Sequence, residues 1–283
     1  MQSLSSIENT HNICRQWKEQ DETIAFVPTM GCLHEGHISL IQHARTLAKH
    51  VVVSIFVNPL QFDNSNDLAN YPNTLAEDGR TLKKLEVDLL FTPTRETFYS
   101  EGENKVETIK LGEITTFLEG AHRPGHFDGV ATVVKRLFEI VQPNYSVFGE
   151  KDFQQLLLIQ QLVKKYALDI EIVSMPTLRE ASGLAMSSRN TRLSDEQRNT
   201  AAALYEELKG IQKLIQNCTS FERDQFEHIE EMAFNQLKSL GFVPEYVAIR
   251  EDKGLLLPHS LENNVILLAA KLGEIRLIDN LRV

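Results

Sequence analysis

The residues best suited to chemistry are two histidines, His34 and His37, which lie three positions apart in a glycine-containing segment. Imidazoles can stabilise developing negative charge, transfer a proton or bind a metal ion. The alternatives are a metal-binding pair and a pair of ordinary polar surface side chains. We favour an anion-binding role, because the pair lies at a predicted strand-to-helix junction. Backbone N–H groups and the helix dipole attract anions there.

Three local patterns define this junction. A buried strand is predicted from Thr23 to Val27, and it should end at Pro28 because proline lacks a backbone donor. Gly31 and Gly36 permit a tight loop and the close approach of a bound group. Apolar residues at helical spacing follow from residue 38 to residue 48, which predicts a helix that begins near Gly36.

A second pair of polar side chains follows the next predicted strand. His50 to Val57 is rich in valine and shows no polar alternation, which is typical of a parallel strand buried on both faces. Asn58 and Gln61 come directly after it. Small molecules bind at the carboxyl ends of the strands in open parallel sheets. Both amides are therefore candidates for holding a polar small molecule, although a simple turn at Asn58-Pro59 is the structural alternative.

A lysine occupies the start of another predicted helix. Gly149-Glu150-Lys151-Asp152 lies between a predicted strand, 145–148, and a predicted helix, 153–166. A cation at a helix N-terminus is unfavourable by about 0.3–1 kcal/mol, so a bound polyphosphate would offset this cost. A solvated surface lysine is the simpler alternative. Gln155 falls on the first turn of the same helix.

A serine-rich segment, Gly183 to Asn190, contains Met186, Ser187, Ser188 and Arg189. Hydroxyl groups beside a guanidinium on a flexible loop suit a clamp that closes on phosphate. Taken alone, the segment is more simply interpreted as an ordinary loop. A further glycine-rich segment, 118–130, contains His126-Phe127 where a P-loop would have lysine and a hydroxyl residue, so it is not a P-loop.

The element pattern predicts an α/β protein with two domains. Alternating strands and helices over residues 1–176 predict a doubly wound parallel sheet, which is a Rossmann-like domain. Two helices and three short strands over residues 177–283 predict a smaller α+β domain with antiparallel pairing.

Several local predictions complete this picture. We expect an amphipathic helix over residues 3–20, a polar loop over 63–71, and a strand or hairpin arm from Lys105 to Leu111. A capping box at Ser194–Gln197 opens a single helix that carries Ala201 through Ile211 on one face. A last helix runs from about residue 221 to Gly241.

Composition excludes several classes of protein. The formal net charge of −10 over 283 residues disfavours extended nucleic-acid binding. No apolar run approaches the roughly 18 residues of a membrane span, and the N-terminal segment lacks the apolar region of a signal peptide. We therefore expect a cytoplasmic protein without membrane contact. The cysteines, Cys14, Cys32 and Cys218, are odd in number and far apart, which indicates neither a disulfide framework nor a zinc site.

Together these segments resemble one enzyme family. The string His34-Glu35-Gly36-His37 is similar to the HIGH signature of the nucleotidyltransferase superfamily. The longer string Pro28–His37 resembles the pantothenate synthetase family, also called the pantoate–β-alanine ligases. Four further segments resemble that family in the same order and spacing: 53–62, 123–127, 148–155 and 183–190.

The resemblance implies a reaction and a set of site residues. The family joins pantoate to β-alanine through pantoyl adenylate, using ATP with Mg²⁺, and its members are generally homodimers. The implied substrate-binding residues are Gln61 and Gln155, with Asn58 assisting. The implied catalytic residues are His34, His37, Lys151, Ser187, Ser188 and Arg189. The implied ATP-binding residues are Pro28, Thr29, Met30, Gly31, Cys32, Leu33, His34, Glu35, Gly36, His37, Gly149, Glu150, Lys151, Asp152, Leu178, Met186, Ser187, Ser188 and Arg189.

Two alternatives remain at the level of sequence. One is another nucleotidyltransferase of the same superfamily that acts on a phosphorylated small molecule. The other is a nucleotide-sensing protein that binds ATP without turnover. The resemblance does not assign residues to the magnesium ion, because a chelate through ATP phosphates needs few protein ligands.

Overall fold

The computed structural model describes residues 1–62, 68–69 and 71–283, so most of the predicted polar loop over 63–71 lies outside the described residues. The chain forms two compact units. The first unit comprises Met1–Glu150 and Leu158–Pro176. The second comprises Lys151–Leu157 and Thr177–Val283.

The first unit is built on a parallel sheet. Its strands are β1 (Gln2–Leu4), β2 (Ile24–Thr29), β3 (His50–Ile55), β4 (Leu89–Phe91), β5 (Tyr145–Gly149) and β6 (Glu171–Met175). Over the described residues they form a six-stranded sheet in the order β1-β4-β3-β2-β5-β6, and every pairing is parallel. The predicted Rossmann-like parallel sheet is confirmed.

Helices connect these strands. They are α1 (Ile7–Glu19), α2 (Glu35–Leu47), α3 (Leu75–Lys84), α4 (Arg95–Phe98), α5 (Glu119–His122) and α6 (His126–Val141). Helix α7 (Phe153–Lys165) begins in residues of the second unit and ends in residues of the first. Short 3-10 turns lie at Pro59–Gln61, Glu103–Lys105, Glu113–Thr115 and Glu150–Asp152.

Alternating strand residues bury both faces of this sheet. Ala25 and Val27 of β2 pack in a cluster with Ile41 of α2. Phe26, between them, makes an edge contact with Phe138 of α6, with ring centroids 6.4 Å apart. Since successive strand side chains point to opposite faces, helices cover the sheet on both sides. This explains why the strands lack the polar alternation of a solvent-exposed sheet.

The second unit is a separate α+β structure. Its strands β7 (Val243–Glu251), β8 (Asn264–Leu272) and β9 (Ile275–Arg282) pair antiparallel in that order. Its helices are α8 (Asp195–Ala201), α9 (Ala203–Gln216) and α10 (Arg223–Ser239). The apolar stripes of α9 and α10 pack against alternate residues of β8, with Leu208, Phe226 and Ile266 in one buried cluster. The predicted antiparallel sheet is confirmed.

The prediction of a helix over residues 3–20 was wrong at its start. Gln2–Leu4 is a strand that pairs with β4, with Leu4 opposite Phe91. The helix begins at Ile7, and the Ser6 hydroxyl caps it by accepting from the Asn9 N–H. Leu4 lies three residues before Ile7, so it matched the helical spacing. An edge strand of three residues is too short to show a period of its own.

Strand β2 was predicted to end at Val27, but it continues through Pro28 to Thr29. The Thr29 carbonyl accepts from the Phe56 N–H, so strand contacts on the β3 side extend past the proline. On its other side β2 pairs with β5 only at Ala25 and Phe26. Proline is tolerated here because the sheet requires no N–H donor at its position.

Two other local predictions were wrong. Lys105–Leu111 forms no strand; the Ile109 N–H instead donates to the Thr132 hydroxyl of α6 at 2.9 Å. The helix that opens at the Ser194–Gln197 capping box stops at Ala201, and α9 begins at Ala203. The capping box itself is confirmed. Ala202 serves as the cap of both helices, and its high helix propensity gives no signal of a break.

No helix of the described chain combines the length and the apolar character needed to cross a lipid bilayer.

Candidate active site

The loop that follows β2 has an unusual backbone. The buried Thr29 hydroxyl donates to the Ser54 carbonyl at 2.8 Å and accepts from the Gly31 N–H at 3.1 Å. Gly31 (φ +83°) and Cys32 (φ +52°) then follow one another in the left-handed region. A glycine adopts this conformation freely, whereas a cysteine is strained there by about 1 kcal/mol. The loop must therefore be held by other contacts.

Asp78 of α3 holds this loop. One of its carboxylate oxygens accepts from the Cys32 N–H at 2.9 Å, and the other accepts from the Leu33 N–H at 3.0 Å. The Thr74 hydroxyl donates to the first oxygen at 3.0 Å, and the residue is only 3% exposed. Hydrogen bonds to a carboxylate are stronger than neutral ones, so this pair offsets the strain at Cys32.

Sequence reasoning did not identify Asp78. The signal was present, because Asp78 lies four residues before Leu82, on the face that α3 buries. A carboxylate on the apolar face of a helix requires a partner. That signal alone does not reveal which backbone groups the partners are.

The two histidines lie at the start of α2, as predicted. His34 is the N-cap, and its Nδ1 accepts from the Gly36 N–H at 3.2 Å. His37 lies in the first turn, and its Nδ1 accepts from the His34 N–H at 3.4 Å. The ring centroids are 4.1 Å apart. Both imidazoles therefore lie on one side of the helix start.

These two bonds determine the tautomer of each ring. A backbone N–H can only donate, so Nδ1 of both histidines must be the unprotonated nitrogen. The proton of each neutral ring is then on Nε2. The helix start therefore provides two Nε2–H donors in addition to its own N–H groups, an arrangement suited to an anion.

Asn58 and Gln61 form one cluster at the end of β3. Asn58 is 1% exposed and caps the 3-10 turn Pro59–Gln61 by accepting from the Leu60 N–H. Its Nδ2 donates to the Gln61 Oε1 at 3.1 Å. The Gln61 Nε2 donates to the Met30 sulfur at 3.1 Å, so the cluster reaches the loop that leads to the two histidines.

The glycine-rich segment 118–130 supports Gln61 from behind. The Gln61 carbonyl lies 2.7 Å from His126 Nδ1 and 3.4 Å from Arg123 Nη2. Because a carbonyl can only accept, His126 Nδ1 carries the proton, and its Nε2 accepts from Arg123 Nη1 at 3.1 Å. The side chains of Arg123 and His126 thus both donate to the Gln61 carbonyl and hold it in place.

In the second unit, Lys151 lies in the 3-10 turn Glu150–Asp152 that precedes α7. Its carbonyl accepts from the Asn280 side chain at 2.8 Å, which attaches the turn to β9. Its ammonium is 3.9 Å from the Asp152 carboxylate, and its side chain is 19% exposed. Gln155 is half-buried in the first turn of α7.

Ion pairs and hydrogen bonds anchor both ends of the serine-rich segment. Arg179 makes a bidentate ion pair with Asp279 of β9, with distances of 2.6 and 2.9 Å. Burial raises the pKa of the Asp279 carboxyl above its ordinary value, although Arg179 opposes this. The Asn190 side chain donates to the Glu180 carboxylate and to the Ala185 carbonyl. Between these anchors, Ser187 caps the turn Ser188–Arg192 by accepting from the Arg189 N–H at 3.2 Å.

The candidate residues fall into two groups. In the first unit, Pro28 and Thr29 end β2, Met30–Leu33 form the loop, and His34–His37 begin α2. Asn58 and Gln61 follow β3, and Gly149 ends β5. In the second unit, Lys151, Asp152 and Gln155 flank the start of α7, and Leu178 and Met186–Arg189 lie in the serine-rich segment. Within the described ranges, no three His, Cys, Asp or Glu side chains are arranged to hold a metal ion.

We expect Asp78→Asn to destabilise the first unit by about 2 kcal/mol, because the new NH₂ group would face a backbone N–H that now finds an acceptor. The measurement is urea unfolding followed by the fluorescence of Trp17, which is the single tryptophan and lies in α1. The neighbouring, exposed Glu77 provides the matched control Glu77→Gln, which should leave the midpoint unchanged. Equal effects of both substitutions would show that Asp78 does not hold the loop.

Comparison with known proteins identifies the family. The family model described as pantoate-beta-alanine ligase matches residues 2–282. A pantothenate synthetase of Aliivibrio fischeri is 49% identical over 284 aligned positions, which cover 100% of this chain and 96% of the relative. One of Vibrio cholerae is 48% identical, covering 99% of this chain and 94% of the relative.

Solved structures agree with this result. A pantothenate synthetase of Thermus thermophilus superposes with a TM-score of 0.91 at 39% identity, covering 100% of this chain and 99% of that one. A pantoate–β-alanine ligase of Francisella tularensis, described as complexed with β,γ ATP and β-alanine, superposes with a TM-score of 0.84 at 39% identity, covering 100% of this chain and 97% of that one. The chain therefore belongs to the pantoate–β-alanine ligase family.

Proposed function

We propose that this protein condenses pantoate with β-alanine at the expense of ATP, releasing AMP and pyrophosphate. The family match over nearly the whole chain supports this reaction. The observation that carries it is the pair of Nε2–H donors at the start of α2, beside the amide cluster of Asn58 and Gln61. An enzyme that activates a hydroxy acid on ATP needs hydrogen-bond donors for the phosphate, and it needs polar side chains that hold the acid.

In the first step a carboxylate oxygen of pantoate attacks the α-phosphorus of ATP. The new P–O bond forms pantoyl adenylate, and the bond to the leaving pyrophosphate breaks. The carboxylate is already ionised near neutral pH, so this step needs no general base. Its difficulty is the negative charge that develops around the phosphorus. We assign His34 and His37 to that charge as hydrogen-bond donors, with proton transfer from His37 as a secondary role.

In the second step the neutral amine of β-alanine attacks the acyl carbon of the adenylate. The amide bond forms, the bond from carbon to the AMP oxygen breaks, and the nitrogen releases one proton to solvent. We propose that Gln61 and Gln155 hold pantoate, that Gln61 also lies near β-alanine, and that Asn58 assists. Amides donate to and accept from hydroxyl and carboxylate oxygens without adding charge, which suits a small hydroxy acid better than a phosphorylated one.

The remaining polar residues serve the nucleotide in this proposal. Lys151 and Arg189 would neutralise the phosphates, and Ser187 and Ser188 would donate to them. The other nucleotide contacts are Pro28 to Gly36, Gly149, Glu150, Asp152, Leu178 and Met186. Both oxygens of Asp78 accept from N–H groups, so this carboxylate does not fit a magnesium ligand. Magnesium would instead arrive chelated by the triphosphate and would supply positive charge there.

We propose further that residues 1–176 and 177–283 act as two domains and that the second serves as a lid. An acyl adenylate hydrolyses readily, so excluding water would protect it. The ion pair between Arg179 and Asp279 attaches the serine-rich segment to β9, so the segment and the strand would move together. We also propose that the protein acts in the cytoplasm as a homodimer.

Pyrophosphate release tests the reaction most simply. The purified protein should release pyrophosphate when ATP, Mg²⁺ and pantoate are supplied, before any β-alanine is added. No release with pantoate would refute the proposal. Release only with a phosphorylated acceptor would indicate a different nucleotidyltransferase, and binding of ATP without formation of AMP would indicate a protein that binds but does not turn over.

We expect His37→Ala to lower the rate of adenylation by about 10²-fold, because one donor to the developing charge is lost. The dissociation constant for ATP should rise by less than about threefold, since most ground-state contacts remain. Single-turnover quench gives the rate, and equilibrium dialysis gives the affinity. His43→Ala, on the same helix, is the control and should change neither. An equal loss of rate and affinity would mean that His37 only binds the nucleotide.

A further inference from the structure

The orientation of the Asn58 amide is determined by backbone groups. Its Oδ1 accepts from the Leu60 N–H at 3.3 Å, and its Nδ2 donates to the Gly129 carbonyl at 3.2 Å. A backbone N–H can only donate and a carbonyl can only accept, so the reverse orientation would lose both bonds. The oxygen and the nitrogen of this buried side chain therefore have unambiguous positions.

The orientation of Gln61 follows from that of Asn58. Because Asn58 Nδ2 is a donor, the atom that it contacts in Gln61 must be the acceptor Oε1. The Nε2 of Gln61 is thus directed towards Met30, whose thioether sulfur is only a weak acceptor. A 9% exposed amide with its donor on a weak acceptor has hydrogen-bonding capacity in reserve for a stronger one.

A third side chain, Tyr99, completes the chain of bonds. Its hydroxyl lies 2.7 Å from Asn58 Oδ1, and because that oxygen accepts, the hydroxyl must donate. Tyr99 follows α4 and is 3% exposed, packed against Phe56 and Phe98. Burial raises the pKa of Tyr99 above the ordinary value of tyrosine, so the phenol keeps its proton at neutral pH. The hydrogen bond from Tyr99 is the shortest of those that the Asn58 side chain makes, and its donor lies 41 positions away in the chain.

We propose that Tyr99 is a positioning residue for the hydroxy-acid substrate. By donating to Asn58 it fixes the amide of Asn58, and through it the amide of Gln61, so that Gln61 presents an N–H to a substrate oxygen. Tyr99 itself does not touch the substrate. This inference rests on the proposed function, because it assumes that Gln61 contacts pantoate.

Tyr99→Phe removes the donating hydroxyl and keeps the ring that packs against Phe56 and Phe98. We expect the KM for pantoate to rise about fivefold, the effect of one ordinary hydrogen bond, with kcat and the KM for ATP changed less than about twofold. Tyr166→Phe, at an exposed tyrosine, is the control and should change none of these constants. An equal rise in the KM for ATP and for pantoate would overturn the proposal, because it would indicate general loosening of the unit.

A double-mutant cycle with Gln61→Ala tests the route. If Tyr99 acts through Gln61, then Tyr99→Phe should have no further effect on the KM for pantoate once Gln61 is truncated. A full fivefold rise in the Gln61→Ala background would overturn the proposal while leaving the proposed function intact. The proposed function would fail separately if Gln61→Ala alone left the KM for pantoate unchanged, and the role of Tyr99 would then fail with it.

Asn58→Asp provides a second, independent variant. The aspartate would place an oxygen opposite both the Gly129 carbonyl and the Gln61 Oε1, so Gln61 would have to turn its Nε2 towards residue 58. The donor would then be withdrawn from the substrate, and the KM for pantoate should rise further than in Tyr99→Phe. A smaller rise than in Tyr99→Phe would contradict the inferred orientation of the amides.

Discussion

The carboxylate of Asp78 holds the loop that joins β2 to α2. It is buried, and it accepts from two consecutive backbone N–H groups, those of Cys32 and Leu33. These two hydrogen bonds offset the strain of the left-handed conformation at Cys32. That conformation turns the chain from the end of β2 into the first turn of α2, where His34 and His37 follow. The positions of the two imidazoles therefore depend on a buried carboxylate that comes from a different helix, α3.

The same principle recurs in the orientation of the site's polar side chains. The Nδ1 atoms of both histidines accept from backbone N–H groups, and the Asn58 amide lies between a backbone N–H and a backbone carbonyl. Backbone groups have fixed polarity, so they determine which atom of each side chain donates. The imidazoles are consequently held as Nε2–H donors, and Gln61 is held with its amide nitrogen directed towards Met30. Such preorganisation is the main means by which an enzyme stabilises developing charge.

Much of this architecture could be predicted from the sequence, because strong local patterns determine it. The alternation of strands and helices predicted the parallel sheet, and the valine-rich β3 predicted a strand buried on both faces. The change of period after Gly36 predicted the start of α2. Short or irregular segments were missed: Leu4 lies in a three-residue edge strand, and in residues 105–111 the Ile109 N–H bonds to a helix side chain instead of a strand. Asp78 and Tyr99 were missed for a different reason. Their partners lie 46 and 41 positions away, and only the fold brings them together.

In the proposed reaction the donors at the start of α2 act on one event, which is the attack of a carboxylate oxygen on the α-phosphorus of ATP. Pantoate labelled with ¹⁸O in its carboxylate shows whether this attack takes place. After one turnover with ATP and β-alanine, we expect one labelled oxygen to be transferred to AMP, because the attacking oxygen stays on the phosphorus when the amide forms. AMP without label, or label found in inorganic phosphate, would contradict it.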